Sequence, residues 1–414
     1  MKITPQMLIL KGQKGIVLPL VAILMFVFIG FAAFAIDFGH LYVVRNQLQN
    51  AADAAALAGA SVLFENPSII DADIVNSTAE AVAEMNYSGG KQVPVPVIEI
   101  GHYSFPSTWA APGAFSPAQS FEQMTGWQDL NFSTLNTRTE FINAVRATVS
   151  RSDVPRFFSK IFDSSPLNMN VKAIAYVGFA GTISPHEFDQ PIAMCKDALI
   201  STGNFECGVG RMINSGNNQN GETAGWTNFT QGPCETTTGN DVNTLVCGDG
   251  NPDTLHYGEE MGSTGGQKPF GALYKCWQQN SSLEIIDGYP TQPWDMTLAV
   301  IECPGNNVAP CSKLVGAVEI SVVWINDQIP ASENNRYNDA PKKMADWENN
   351  SLDGKVRWDS FVAHFGLWDV LNNRAATYEA TTIYFRPECK IHEPVGKTGG
   401  ENYGILAKHP VLVK

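Results

Sequence analysis

The hydrophobic pattern of the chain begins with an unbroken apolar run over residues 16–36, which contains no charged side chain. About 20 helical residues, rising ~1.5 Å each, cross the roughly 30 Å of a bilayer's hydrocarbon core. Pro19 would lie in the first turn of such a helix, where its missing backbone N–H removes no helical hydrogen bond. The pattern therefore predicts a transmembrane helix.

The same run could instead be a secretory signal peptide that is cleaved after export. Its length exceeds the roughly 7–15 residues of a signal peptide's apolar region. The helical pattern also continues past residue 36, without a turn-prone stretch that holds a small-residue cleavage site. We therefore expect the segment to stay in the membrane.

Beyond the span, apolar residues recur at alternating intervals of three and four, which places them along one face of a helix. Ala35 and Gly39 add a small-xxx-small pair at the bilayer edge, a spacing that permits close helix approach. The spacing allows two interpretations, packing on the chain's own ectodomain or packing in a bundle of like helices. We call this face the seam, and its members are Leu41, Val44, Leu48, Ala51, Ala55, Ala58 and Val62.

The flanking charges predict the orientation of the span. Lys2, Lys11 and Lys14 precede it without an acidic residue, whereas Asp37 follows it. Because basic flanks stay in the cytoplasm, we expect the ectodomain to be periplasmic. The first 64 residues hold four Lys/Arg and two Asp, which leaves 23 basic and 39 acidic residues beyond them. An ectodomain this acidic argues against a nucleic-acid partner.

The remaining pattern predicts an α+β fold with a β-rich C-terminal part. An amphipathic helix is expected over 69–87 and an alternating strand over 94–105, followed by strand, helix and strand over 142–150, 153–163 and 169–179. From about residue 183, short strands alternate with Gly-, Asn-, Thr- and Pro-rich stretches. Here the pattern predicts a strand over 313–326, a helix over 357–372 and strands over 377–386 and 403–413. Four aromatics mark the helix's apolar side: Trp358, Phe361, Phe365 and Trp368.

These elements predict five segments along the chain. They are a cytoplasmic tail (1–15), a transmembrane helix (16–36), a membrane-exit helix (37–64), an α+β periplasmic subdomain (65–182) and a cysteine-containing β-rich region (183–414).

All eight cysteines lie in the last of these segments. An even number in an exported, loop-rich region is typical of disulfides formed in an oxidising compartment. A metal site is the alternative, but the chain has no Cys-x-x-Cys and no histidine at ligand spacing. The closely spaced pair Cys303 and Cys311 is our expected local disulfide. The full set is Cys195, Cys207, Cys234, Cys247, Cys276, Cys303, Cys311 and Cys389.

One loop nearly fits a calcium-binding pattern. Asp249, Asn251 and Asp253 alternate, and Glu260 stands where a twelve-residue loop places its bidentate ligand. The turn glycine expected at position six is Thr254, however. We therefore expect a turn rather than a metal site, with calcium as a weak candidate.

The chain lacks the motifs that would indicate catalysis. It has no Gly-x-Ser-x-Gly, no His-Glu-x-x-His and no phosphate-binding loop with its lysine. His186 adjoins Glu187 and His392 adjoins Glu393, and neighbours in sequence do not share a face. We expect both pairs to be solvated loop residues, and we expect no enzyme activity and no cofactor.

The stretch from Gly15 to Ala60 resembles the N-terminal segment of TadE/TadG-type proteins, which assemble Tad (Flp, type IV-like) pili. In that family a glycine after basic residues opens the membrane helix, an Asp-x-Gly marks the periplasmic exit, and an LQNAADAAALAGA-like run follows. Prepilin-type processing would cleave after Gly15 and expects glutamate at the fifth mature position, where this chain has Leu20. The matching residues of the exit and the run are Asp37, Gly39, Leu48, Gln49, Ala51, Ala52, Asp53, Ala55, Ala58 and Gly59.

The resemblance implies a non-enzymatic, single-pass inner-membrane protein that assembles or anchors a Tad pilus. The seam would then pack against pseudopilins, other assembly proteins or further copies of this chain, with the lipid bilayer as the other partner. The alternative is a pilus-tip minor pseudopilin or surface adhesin in which 183–414 is the binding module.

Overall fold

The computed structural model describes most of the chain. The described residues are 17–64, 69–106, 113–158, 165–201, 204–205, 211–213, 224–232, 237–264, 269–280, 282–303, 308, 311–327, 335–369, 374–387, 389–396, 398–399, 401–407 and 409–413.

The helices and strands alternate irregularly along the chain. The helices are α1 (Val17–Ser61), α2 (Ala72–Glu84), α3 (Phe132–Leu135), α4 (Lys196–Leu199), α5 (Gly239–Asn243), α6 (Phe270–Gln278) and α7 (Gly354–Phe365), with a 3-10 turn at Trp127–Asp129. The first strands are β1 (Tyr87–Ser88), β2 (Lys91–Gln92), β3 (Val97–Ser104), β4 (Ala114–Pro117), β5 (Ala144–Val154), β6 (Leu167–Tyr176), β7 (Thr182–Ile183), β8 (Ile192–Cys195), β9 (Ile200–Ser201), β10 (Asn204–Phe205), β11 (Arg211–Ile213) and β12 (Ala224–Gln231). The later strands are β13 (Leu255–His256), β14 (Glu260–Thr264), β15 (Ile285–Ile286), β16 (Tyr289–Pro290), β17 (Trp294–Ile301), β18 (Ser312–Asn326), β19 (Lys343–Met344), β20 (Trp347–Glu348), β21 (Trp368–Asp369), β22 (Arg374–Ala375), β23 (Thr382–Phe385), β24 (Lys390–Ile391) and β25 (Val411–Val413).

Helix α1 runs for 45 residues without interruption. It is long and apolar enough to cross a membrane, and its most apolar 18-residue window has none of its residues buried in the protein. From Val44 onward the same helix becomes part of the protein core. The transmembrane prediction for 16–36 and the helical continuation beyond it thus agree with the structure.

The first core lies between α1, α2 and a five-stranded antiparallel sheet of order β25-β6-β5-β3-β4. Helix α2 begins at Asp71, whose carboxylate accepts hydrogen bonds from the backbone N–H groups of Asp73 and Ile74, at 3.1 Å each. Such a cap satisfies donors that the first helical turn cannot pair. The buried face of α2 packs against α1. This is the α+β arrangement that the sequence predicts.

The last strand of the chain belongs to this first sheet. Val411 to Val413 pair with β6 in the register Val411↔Tyr176 and Val413↔Ile174. The side-chain amide of Asn402 also donates to the carbonyls of Trp127 and Leu130, at 2.6 and 2.7 Å. The local pattern groups these C-terminal residues with the 183–414 region, because a long-range strand pairing leaves no mark in local pattern.

Among the described strands of the second region, five pair in a ring: β8, β12, β14, β18, β17 and back to β8. All of these pairings are antiparallel except that of β17 with β8. Strands β23 and β24 pair with β18, and β11 pairs with β23. A closed ring leaves few unpaired strand edges. One face of the ring carries larger apolar residues against α6 and α7, and the other carries mostly smaller ones.

The helix predicted over 153–163 is wrong for its described part. Strand β5 continues to Val154, which is fully buried and pairs with Leu167 across the β5–β6 hairpin. Val154, Phe157 and Phe158 have helix-like spacing, but the pairing of Val154 with Leu167 extends strand β5 into the segment where the helix was expected to begin. Residues 159–163 lie outside the described part of the chain.

The helix predicted over 357–372 is shorter in the structure. Asp353 caps its start, and Gly366 ends it in the left-handed conformation, with φ of 62°. Glycine adopts this conformation without the steric cost that other residues meet. Trp358, Phe361 and Phe365 are buried as expected, whereas Trp368 lies in β21 and is 45% exposed.

The disulfide expected between Cys303 and Cys311 is wrong. Cys303 bonds to Cys195, with their Cα atoms 5.4 Å apart, and Cys247 bonds to Cys276. Cys195 ends β8 and faces Ile301 across the parallel β8–β17 pair, so the bridge joins neighbouring strand ends that are 108 residues apart in sequence. Cys311 and Cys389 each also take part in a disulfide. Cys207 and Cys234 lie outside the described residues.

Removing either bridge should destabilise the second region, and the longer closed loop should matter more. In the chain-entropy picture, closing a 108-residue separation rather than a 29-residue one stabilises by about 1 kcal/mol more. Cys195→Ala/Cys303→Ala should therefore lower the melting temperature further than Cys247→Ala/Cys276→Ala, measured by calorimetry on the detergent-solubilised protein. The reverse order would show that native-state packing around the bridges outweighs loop entropy.

Candidate functional site

The candidate site is the membrane exit of α1, where the Asp-x-Gly residues lie. Asp37 is only 6% exposed although the helix around it is open on its other sides. Its carboxylate accepts hydrogen bonds from the backbone N–H of Phe157 at 2.9 Å and of Phe158 at 3.2 Å. Hydrogen bonds to an ionised acceptor are stronger than neutral ones. We call Phe157 and Phe158, which follow β5, the hairpin tip; Asp37 holds these two residues against the end of the apolar part of α1.

The seam begins about one turn after Asp37, and its central residues are buried inside the protein. Val44, Leu48, Ala51 and Ala55 are each at most 1% exposed. They contact α2 and the strands β5 and β6, and they form part of the first core. Alanine at three of the seven seam positions lets the helix backbone approach the sheet closely. Leu41, Ala58 and Val62 are half-buried at the margins of the same face.

Gly59 marks the tightest part of this contact. A Cβ atom at this position would lie 3.1 Å from Val145 Cγ1, 3.3 Å from Ala79 Cβ and 3.4 Å from Val75 Cγ1. These neighbours come from β5 and α2, so the helix, its partner helix and the sheet meet here. The glycine of the LQNAADAAALAGA run thus permits a three-way junction.

Polar side chains fasten both edges of the seam. The Gln49 amide donates to Asp53 Oδ1 at 2.8 Å and to the Lys172 carbonyl of β6 at 3.1 Å. On the other edge, Gln47 Oε1 accepts from the backbone N–H of Gly89 at 2.8 Å. Ala52 is buried beside the seam. Residues that the family motif singles out therefore orient α1 within its own ectodomain.

A buried arginine supports the same edge. Arg151 is 4% exposed and donates to the Ser88 carbonyl and, at 2.7 Å, to Asp153 Oδ1. Hydrogen bonds from Arg151 and then from Lys91 lower the pKa of Asp153 to about 2. Ser88 in turn donates to the Val44 carbonyl at 3.2 Å. This chain of bonds ties the β1–β2 turn and the hairpin to α1.

The two interpretations of the seam are resolved by this burial. Its central residues pack on the chain's own ectodomain. This corrects the expectation that the seam contacts pseudopilins or another copy of the chain. An approaching helix would find these side chains already covered. Ala35 and Gly39 do remain exposed on α1, and nothing lies within 4 Å of a Cβ placed on Gly39. Gly15 lies outside the described residues.

The residues of the calcium candidate do not form a metal-binding cluster in the described part of the chain. Asn251 is fully buried, but its Oδ1 accepts from the backbone N–H of Phe188 at 2.9 Å, and its amide donates to the Ser184 and Asp253 carbonyls. Its side chain therefore joins two loops. Within the described part of the chain, Asp249, Asp253 and Glu260 belong to no group of three His, Cys, Asp or Glu residues that could hold a metal ion.

Of the histidine–glutamate neighbours, His186 and Glu393 are exposed as expected, whereas His392 and Glu187 are largely buried. His392 is 18% and Glu187 11% exposed at the side chain, and His392 Nε2 lies 3.0 Å from Glu187 Oε2. His392 Nδ1 lies 2.8 Å from Glu319 Oε1. Burial raises the pKa of the Glu187 carboxyl, but hydrogen bonds from the Val395 and Ser184 backbone and from His392 outweigh it and hold that pKa below its ordinary value. The fold thus brings His392 to Glu187, about 200 residues away in sequence, rather than to its neighbour Glu393.

Sequence reasoning missed the hairpin tip. Phe157 and Phe158 were assigned to a helix, yet they are the residues that Asp37 binds. The His40 ring packs edge-on against Phe157, with ring centroids 4.9 Å apart. The spacing of Asp37 and His40, three residues apart on one helix face, was the available signal.

We expect Ala55→Leu to destabilise the protein, because the larger side chain has no space between α1 and the sheet. Overpacking of a dense core costs about 1–3 kcal/mol. Ala58→Leu is the matched control, since Ala58 is half-buried on the same helix. Thermal unfolding of the full chain in detergent should show a lower melting temperature for Ala55→Leu alone. Equal melting temperatures would mean that the seam is not tightly packed.

The depressed pKa of Glu187 predicts a pH dependence of stability. Because the folded pKa is below the ordinary value of 4.5, the unfolded chain takes up the proton first as the pH falls. The stability from this carboxylate is therefore present above that value and lost as the pH falls through the folded pKa. Melting temperatures measured from neutral to acidic pH should fall less steeply for Glu187→Gln than for the original chain. Identical slopes for the two proteins would contradict the assignment.

Two family models match the N-terminal part of the chain. The model for Flp pilus-assembly TadE/G-like proteins covers residues 15–62, and that for Tad-like Flp pilus assembly covers residues 45–175. No curated protein and no solved structure matches the chain significantly. The matches are continuous from α1 through the β5–β6 hairpin, so they include Asp37 and the seam. These matches support a Tad pilus-assembly protein, with similarity to TadE/G-like proteins over residues 15–62.

Proposed function

We propose that the chain is a non-enzymatic inner-membrane component that assembles or anchors a Tad pilus, with its ectodomain in the periplasm. The observation that carries this proposal is the dual use of α1. Its apolar part is bare, while its continuation is the central helix of the first ectodomain core. The family matches support the role in a pilus. The basic residues before the span support the proposed orientation in the membrane.

The continuous helix suggests how anchoring works. A flexible linker would let an ectodomain move independently of its anchor, whereas a helix maintains its hydrogen bonds across the exit. Asp37 adds a second attachment at the exit through the hairpin backbone. Force on the ectodomain would therefore reach the bilayer through a stiff element.

Partner contacts in this proposal use surfaces other than the seam. Pseudopilins and other assembly proteins would approach the exposed faces of α1 near the exit or the outer surface of the ectodomain. The 183–414 region offers most of that surface. It is cross-linked by disulfides and contains the closed ring of strands. The same region would be the binding module if the chain were instead a tip pseudopilin or adhesin.

The test is a gene deletion with complementation in the native bacterium. Deletion should abolish piliation, the full chain should restore it, and the protein should fractionate with the inner membrane. A four-residue Gly/Ser insertion after Ile36 should leave membrane retention intact but reduce piliation, because it uncouples the ectodomain from the span. The same insertion after Gly288, in an exposed turn, is the matched control and should restore pili.

Three results would contradict parts of the proposal. Normal pili in the deletion strain would remove the assembly role. Recovery of the protein in sheared pili would favour the tip subunit or adhesin. Full piliation with the insertion after Ile36 would show that stiff coupling is not needed.

A further inference from the structure

We propose that the tip of the β5–β6 hairpin is a second membrane contact, in which Phe157 and Phe158 insert into the outer interface of the bilayer. This goes beyond the pilus role, because it concerns how the ectodomain sits on lipid. The occupant of this surface is the bilayer that α1 crosses.

The first argument is height. From Val17 to Asp37 the helix rises about 30 Å, at ~1.5 Å per residue, which equals the hydrocarbon thickness of a typical bilayer. Asp37 therefore lies at the outer edge of the hydrocarbon core. Because Asp37 binds the backbone N–H groups of Phe157 and Phe158 directly, both phenylalanines lie at the same level.

The second argument is exposure. Phe157 is 54% and Phe158 42% exposed, although most large apolar side chains of the ectodomain are buried. On α1 at this level, Phe38 and Tyr42 are 67% and 68% exposed. Aromatic side chains concentrate where membrane meets water. The hairpin and the helix thus place aromatics at one height around the exit.

The third argument is backbone polarity. Residues that insert into the interface bring their backbone close to the hydrocarbon core, where unsatisfied N–H groups are costly. Asp37 accepts from both phenylalanine N–H groups, so this part of the tip brings no unpaired donor. His40 supports Phe157 from the helix side through an edge-on ring contact.

A consequence is a restricted tilt of the ectodomain. A single helix in a fluid bilayer can tilt and carry the attached domain with it relative to the membrane plane. A second contact beside the helix restricts that tilt. The ectodomain would then present a constant face away from the membrane.

The experiment is photocrosslinking of the full chain in nanodiscs of phosphatidylethanolamine and phosphatidylcholine. Single variants carry p-benzoylphenylalanine at Phe157, Phe158, Phe31 or Phe121. Phe31 lies in the span and is 69% exposed. Phe121 is 43% exposed but binds Ile70 beyond the far end of α1, about 36 Å of helix from Asp37. After irradiation, intact-mass spectrometry detects a mass increase of one phospholipid.

We expect lipid adducts at 31, 157 and 158, and none at 121. Adducts at 31 with none at 157 or 158 would overturn the proposal. Adducts at 121 as strong as those at 157 would also overturn it, because they would show contact unrelated to membrane height. In cells with the complete pilus system, crosslinks from 157 and 158 to another polypeptide in place of lipid would assign the tip to a protein partner.

Asp37 provides an independent readout. Asp37→Ala should reduce the lipid adduct at 157 while leaving that at 31 unchanged, because the tip loses its attachment to α1. Asp37→Asn, which keeps one acceptor oxygen, should retain more of the adduct. An undiminished adduct at 157 in Asp37→Ala would mean that Asp37 does not position the tip.

Discussion

The structure depends on the burial of one small-residue helix face against a sheet. The seam of α1 is covered by α2, β5 and β6, and its alanines set the distance at which these elements pack. Because the same helix continues as the apolar span, the ectodomain core and the membrane anchor share one element. Gly59 shows how little space remains, since a Cβ there would contact Val145, Ala79 and Val75.

Long-range polar contacts then fix what the seam positions. Asp37 joins the span to the hairpin tip, Gln49 joins α1 to β6, and Asn402 joins the C-terminal segment to the first domain. Each of these bonds joins a side chain to a backbone group of a segment that is distant in sequence. The return of β25 to the first sheet also joins the first and last parts of the chain.

The sequence predicted those elements that local periodicity encodes. The long N-terminal helix, α2, β3, β5, β6 and β18 all appear near their expected positions because apolar spacing reports which side of an element is buried. The helix over 153–163 failed because a hairpin can carry the same spacing, and Gly366 shortened the helix that was expected to reach 372. The pair Cys303–Cys311 failed because proximity in sequence does not decide proximity across parallel strands.

The sequence by itself determined that this chain has a helix long and apolar enough to span a membrane, an α+β fold with disulfides, and a motif shared with Tad pilus-assembly proteins. These properties follow from composition and short-range spacing. Only the tertiary structure decided that the seam is covered by its own ectodomain, that Asp37 binds the hairpin tip, and that His392 meets Glu187. Such contacts join residues up to about 200 positions apart, and their pairing depends on how all the elements pack together.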